Sequence, residues 1–346
     1  MTTIPSPIGG TIATPTLGTG AKYFLTFSSP SSKTISVEVQ GASYGISSLA
    51  AVTGSGVNSS AKPSFTDLTI THADGAASFA ELQALAKGQT FTNVTLEAFA
   101  LGANGQYGSA PVEMLSLGNG LVSNFLTDGS VDTVSFAFTK LATAVALQSF
   151  SWDLTTNRSP GGGSLASAPT FAQVQANLQG SVSGTHAQTY LELNAPGLNS
   201  WIPVQGFKFG LSEQPSGMGG AAAFTAGKLT ATDITLSFTP TSVDAALQTA
   251  LTTGKTTALG YLVTTAQTVA SGQPVVTHAY QFGNISITGF SESRGATSVD
   301  SLSLHYTSID VQTFQQNAAG TVSLIGEIGY DMLTAKPMHI GHSLIL

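Results

Sequence analysis

The chain has 346 residues, a net charge of −7 and only 8% charged side chains, while 42% of its residues are hydrophobic. Disordered chains are poor in apolar residues and usually rich in net charge, so this one folds, and its length suits about two domains. Its 11 Lys and Arg form no basic cluster, which argues against a nucleic-acid partner; with no Cys it excludes disulfides, thiol nucleophiles and Cys-bound metals.

Residues 1–20 are rich in Thr, Pro, Gly and Ile and read as an extended arm. The arm carries no Lys or Arg and no apolar stretch of signal-peptide type, so export without a classical signal peptide is expected. No apolar run reaches the ~18–20 residues that a membrane-spanning helix needs, and no membrane insertion is expected. A first strand runs through residues 23–27, and Ile35, Val37 and Val39 then alternate with Ser36, Glu38 and Gln40, the period of a half-buried strand. Residues 65–72 follow as another strand. Ser78 to Lys87 then changes period: Phe79, Leu82, Leu85 and Ala86 share one helical face, Ser78 and Glu81 read as a capping box, and Gly88 as the residue just past the end. Strands at 94–99 and 131–141 complete the first half, the latter with Val134, Phe136 and Phe138 on one face. Residues 159–187 read as a linker opened by Pro160-Gly161-Gly162-Gly163-Ser164, with a short helix or strand at 171–178, and residues 339–346 as an apolar tail.

The second half repeats the first. Thr66-Asp67-Leu68-Thr69-Ile70 returns as Thr232-Asp233-Ile234-Thr235-Leu236, a shift of 166 residues, and Gly88 returns as Gly254. Val39-Gln40-Gly41 returns as Val204-Gln205-Gly206, and Ser130-Val131-Asp132 as Ser298-Val299-Asp300. The shift drifts by a few residues, as expected where loops accept insertions between fixed strands. The helix returns too, with Asp244 in the place of Ser78 as an N-cap and Leu247, Ala250 and Leu251 on its apolar face. One helix per copy is too few for parallel β-α-β winding, so each copy is expected to be a largely antiparallel barrel or sandwich.

In copy two, Tyr190-Leu191-Glu192-Leu193, the Pro196-Gly197 turn, and Trp201-Ile202-Pro203-Val204 before Gly206-Phe207-Lys208-Phe209-Gly210 look like the first hairpin of a known family. In copy one, Lys87-Gly88 before Phe91-Thr92-Asn93-Val94-Thr95-Leu96-Glu97 looks like that family's central region. Leu121-Val122-Ser123 and Ser130 to Phe138 look like its late hairpin. In this order, repeated twice over residues 21–158 and 188–338, the chain resembles the haemolysin-coregulated protein (Hcp) family, the tube protein of type VI secretion, with related folds in phage tail tubes. The resemblance implies a mainly β fold: two tandem antiparallel β-barrels, each with one short flanking α-helix. It also implies self-association into rings, usually six-membered, that stack into a tube. A fused pair then suggests three chains per ring, with the two domains pairing with each other as neighbouring ring members do across the 159–187 linker. The chain departs from the family in being a tandem and in its low charge, which points to an extracellular tube as well as a secretion apparatus.

Read for chemistry, the chain offers little. Gly41-Ala42-Ser43-Tyr44-Gly45 matches a nucleophile elbow, but copy two replaces the serine with Lys208, so Gly41 and Gly206 read as bend or bulge positions within a strand. Gly254-Lys255-Thr256 ends like a phosphate loop but follows a helix rather than preceding one. Asp67 and Asp233, Asp132 and Asp300, and Asp153 and Asp331 recur at strand starts and turns, where Asp bonds backbone N–H groups. His72 reads as a satisfied or exposed polar residue at a strand end. His339 and His342, three apart in the tail, are the one His pair with metal-ligand spacing, against a solvated terminus. No catalytic residue and no cofactor is expected. The function expected is a non-enzymatic tube subunit whose partner is itself, with sheath or cargo proteins as further partners, cytoplasmic before assembly and then secreted. Long loops at 41–63 and 213–224 are the expected contacts between rings. The alternative is a secreted monomeric β-protein that binds glycans or surfaces.

Overall fold

A computed structural model describes residues 20–28, 33–47, 50–52, 58–60, 63–145, 148–159, 169–178, 186–198, 200–214, 227–267, 274–293, 298–317 and 321–338. The first half contains β1 (Ala21–Ser28), β2 (Thr34–Ser43), β3 (Ile46–Ser47), β4 (Ala50–Val52), β5 (Asn58–Ser60), β6 (Ser64–Phe65), β7 (Leu68–Ala73), helix α1 (Ala76–Lys87), β8 (Thr90–Ala100), β9 (Glu113–Thr127), β10 (Val131–Ala137), β11 (Lys140–Val145) and β12 (Gln148–Asp153). Helix α2 (Phe171–Asn177) follows. The second half contains β13 (His186–Leu193), β14 (Ile202–Val204), β15 (Gly206–Glu213), β16 (Leu229–Ala231), β17 (Ile234–Phe238), helix α3 (Asp244–Thr253), β18 (Thr256–Gln267), β19 (Pro274–Ser293), β20 (Val299–His305), β21 (Ser308–Gln316), β22 (Val322–Asp331) and β23 (Lys336–Met338).

Six strands of the first half close on themselves in the order β1, β2, β7, β10, β9, β8 and back to β1, with every pairing antiparallel. The second half closes the same way through β13, the end-to-end pair β14 and β15, β17, β20, β19 and β18. Closure pairs the backbone groups that an open sheet would leave at its rims. Side chains alternate across each wall, so β7 sends Leu68, Ile70 and His72 into the first barrel and leaves the residues between them half-buried. Aromatic rings fill the interiors. Phe27 stands 5.0 Å from Phe91 by ring centroid, and in the second barrel Phe282 stands 4.9 Å from Tyr306. Among the described residues no helix is long and apolar enough to cross a membrane.

Each barrel carries the expected flanking helix, but both helices begin earlier than their sequence suggests. Helix α1 starts at Ala76 behind Gly75, and the Ser78 hydroxyl accepts the Gly75 N–H at 3.0 Å. Glu81 takes no part in a cap; it is fully buried against His72. In copy two Asp244 likewise accepts the Thr241 N–H, at 3.0 Å, rather than capping the groups after it. Ser78, the third residue of α1, and Asp244, the first of α3, therefore each reach back to the N–H three residues before them instead of capping the groups after them. A second difference lies at 131–141, which is two strands. β10 pairs with β9 over Leu121–Thr127, whereas β11 pairs with Glu113–Gly118, and the chain turns between them at Phe138 and Thr139. Within 159–187 the described part includes a helix, capped by Thr170, whose hydroxyl accepts from the Gln173 N–H.

Candidate functional site

The residues singled out by the repeat are structural. β2 bulges where its register with β7 shifts between Val39 and Gly41, and Gly206 opens β15 at the matching place. Gly88 and Gly254 end their helices in the left-handed conformation, with φ of 57° and 62°. The Ser123 hydroxyl donates to Asp67, and the Thr288 hydroxyl to Asp233 at 2.8 Å, so each aspartate, just before β7 or β17, reaches past one strand to the matching strand β9 or β19. Asp153 and Asp331 accept backbone N–H groups in the turns after β12 and β22, as expected. Ser43 lies at the end of β2 opposite Thr69, and a strand follows it, which is not elbow geometry. His339 and His342 lie outside the described residues. Asp132 and Asp300 each stand second in their strand, fully buried on the inward faces of β10 and β20.

The feature with assembly chemistry is the seam between the barrels: the two domains pair with each other, through strands that the sequence did not single out. β9 of the first barrel pairs antiparallel with β15 of the second, matching Asn124 with Ser212, Phe125 with Leu211, Leu126 with Gly210 and Thr127 with Phe209. This pairing fuses both barrels into one 19-stranded sheet. Beside it Phe207 covers Gly129, and a ring from helix α1, Phe79, covers Gly326 of β22. Tyr280 stands edge-on to Phe207 and Phe209 at 5.8 and 5.3 Å.

A buried polar cluster lies at the same seam. Burial alone would lower the pKa of His72, but Glu81, 2.9 Å from Nε2, and the Ala73 carbonyl, 2.8 Å from Nδ1, outweigh it and push the imidazole up to about 10. Asp74 is pushed up to about 7 by burial. Asp132 is pushed up to about 7 as well, by burial and then by the charge of Asp74. From the second barrel His278 brings Nδ1 to 3.3 Å from Asp74, and burial pushes this imidazole down to about 4. Between those values Asp74 and His278 are both uncharged, so the seam closes over a neutral contact. Among the described residues copy two shows no such cluster at the matching positions. On the matching register Asp300 faces Phe238 where Asp132 faces His72, and Leu247 occupies the place of Glu81.

The two edges that meet at the seam each have a counterpart in the other copy. Gly45 exchanges backbone and hydroxyl bonds with Thr66 as Gly210 does with Thr232, so 45–47 is the counterpart of 210–212. Gly289, Phe290 and Ser291 of β19 are the counterparts of Asn124, Phe125 and Leu126. Among the described residues Gly289, Phe290 and Ser291 pair with β20 on one side and with no strand on the other. Ile46 pairs only with Phe65. The described residues thus hold a counterpart of each half of the contact that the chain makes once internally.

The site that the geometry defines is an edge-to-edge joint between two closed barrels. The family model described as "Type VI secretion system effector, Hcp" matches residues 29–145 and 192–313, most of both barrels, and the chain belongs to that family. Among solved structures, one described as a type six secretion system protein is 18% identical, with a TM-score of 0.39, over 44% of this chain and 99% of its own. Hcp1 from Salmonella typhimurium is 14% identical, with a TM-score of 0.34, over 44% of this chain and 100% of its own. The anti-feeding prophage baseplate is 10% identical, with a TM-score of 0.28, over 37% of this chain and 93% of its own. No curated protein matches the chain.

Proposed function

We propose that the chain is a structural tube subunit whose barrels fill two neighbouring positions of a six-barrel ring, so that three chains close the ring and rings stack into a tube. The observation that carries this is the seam. An isologous contact would end at a dimer, whereas a head-to-tail contact repeats until it closes. Applied between chains, the internal register pairs Gly45 with Ser291, Ile46 with Phe290 and Ser47 with Gly289 of the next copy. Strand addition of this kind satisfies the bare backbone groups of both edges. The β4–β5 hairpin within residues 41–63 is the inter-ring contact in this reading; its counterpart at 213–224 lies outside the described residues beyond Gln214. The chain leaves the cytoplasm by the secretion route of its family, with no cofactor.

The test uses the absence of native cysteine. In the double variant Ile46→Cys with Phe290→Cys, mild oxidation is expected to produce a ladder of chains linked head to tail that stops at three. Circular dichroism confirms that the variant folds. A folded variant that stays monomeric at all concentrations overturns the reading and leaves the monomeric surface-binding alternative. A ladder running beyond three overturns the ring number.

A further inference from the structure

The outer walls of the two barrels carry matching apolar faces, and only one has a described cover. In the first barrel Phe24 and Phe99 lie under helix α2, whose Phe171 ring stands 5.9 and 5.2 Å from theirs and whose Val174 is fully buried. Leu178, just past the helix, bridges to Ser36 of β2. Register places Tyr190 where Phe24 stands, Val263 where Glu97 stands and Trp201 where Ser36 stands. It also places Thr265 where Phe99 stands, so the second wall gives up one ring and gains Val263 and Trp201 in place of Glu97 and Ser36. Yet among the described residues it is an open groove of about 630 Å³ lined by Tyr190, Trp201, Val263, Phe314 and Leu324. Trp201 is 38% exposed and Leu324 50% exposed. Faces of this kind are seldom left to water.

We propose that the C-terminal tail, residues 339–346, is the cover of this groove, as α2 is the cover of its counterpart. Three observations favour this occupant. The tail comes after the second barrel, as α2 comes after the first. It ends in Ser343-Leu344-Ile345-Leu346, with Ile340 before, and so carries apolar side chains to bury. Strand β23 also aims it there. β23 pairs with β22 antiparallel, Lys336 with Asp331 and Met338 with Gly329, so at Met338 the strand is heading along β22 in the direction of Leu324 and Val322, which line the groove. At ~3.3 Å per residue the tail is long enough to span the five residues of β22 between Gly329 and Leu324 and still seat its last residues.

The test reads Trp201 directly. With Trp152→Phe as background, Trp201 is the only indole, and the full chain is compared with one ending at Met338 and with Leu344→Asp. The expected result is a red-shifted emission and at least twofold stronger acrylamide quenching in both variants, with far-ultraviolet dichroism unchanged. Equal emission and quenching in all three proteins overturns the proposal. If the protection of Trp201 in the full chain disappears on dilution, the cover is a second copy, which also overturns it. Leu324→Cys with Leu344→Cys gives an independent check, since an intramolecular disulfide within a monomer is expected and one formed only between chains is the contrary result.

Discussion

Phe207 of the second barrel lies over Gly129 of the first so closely that a Cβ on Gly129 would stand 2.5 Å from its Cε1. Gly129 also holds φ at +82°, where an L side chain is strained in its own right. Gly129→Ala is therefore expected to cost on the order of 2–4 kcal/mol, combining backbone strain with overpacking. Gly105→Ala is the control: its φ is +74°, but nothing lies within 4 Å of the added carbon, so it should lose only ~1–2 kcal/mol. Thermal unfolding of both variants isolates the contact across the seam. Equal losses would mean that Phe207 is not seated there.

The copies solve one buried position in two ways, which makes a double-mutant cycle informative. His72 and Glu81 are fully buried and bonded to each other, while Phe238 and Leu247 fill the same places in copy two. Removing one member of such a pair leaves an uncompensated charge, so His72→Phe alone or Glu81→Leu alone should cost about 3–5 kcal/mol. The double variant copies the chain's own apolar solution and should come within about 1 kcal/mol of the parent, or exceed it. Additive losses in chemical denaturation would refute the pairing.

Much of this architecture was legible because the chain states it twice. Strand alternation at Ile35, Val37 and Val39, the helix ends at Gly88 and Gly254, and the turn aspartates Asp153 and Asp331 all rest on local rules. Helix starts were misread because Ser78 and Asp244 sit where a cap and its reciprocal partner share the same chemistry, and only the backbone shows which role each has. That the two domains pair was legible from the tandem, but the strands that do it were not: β9 and β15 meet across a separation in sequence that no local pattern records. One signal was available for the buried pair. Aligning His72 with Phe238 and Glu81 with Leu247 marks both as core positions, which a histidine and a glutamate do not suggest by themselves.

Helix α2 tests how separable a wall cover is from its barrel. With seven residues it is too short to persist unsupported, so its order depends on Val174 and Phe171 packing on Phe24 and Phe99. Val174→Asp should release it. Proteolysis between residues 154 and 186 is expected to accelerate at least tenfold, while melting of the first barrel falls by only ~1–2 kcal/mol in stability, since the closed sheet remains. A cooperative collapse of the barrel instead would show that the cover is part of its core.

The seam cluster sets a pH dependence whose sign can be worked out group by group. Asp74 and Asp132 have pKa values raised from 3.8 to about 7, so their contribution is complete below 3.8 and is lost as pH rises through 7. Glu97, raised by burial from 4.5 to about 8, behaves alike and loses its contribution as pH rises through 8. His72 is raised from 6.5 to about 10, so its contribution is complete below 6.5 and is lost as pH rises through 10. His278 opposes them: lowered from 6.5 to about 4, it contributes fully above 6.5 and loses that as pH falls through 4. Above pH 6.5 only losses remain, and the melting temperature should fall steadily from pH 6.5 to 10. Asp132→Asn cannot ionise, and the hydroxyls of Ser78 and Thr127 beside it suit an amide. Its melting temperature should therefore decline less than the parent's between pH 5 and pH 8, and the two curves should run parallel above that. Parallel curves across the whole range would place Asp132 in contact with water, and the buried seam would have to be redrawn.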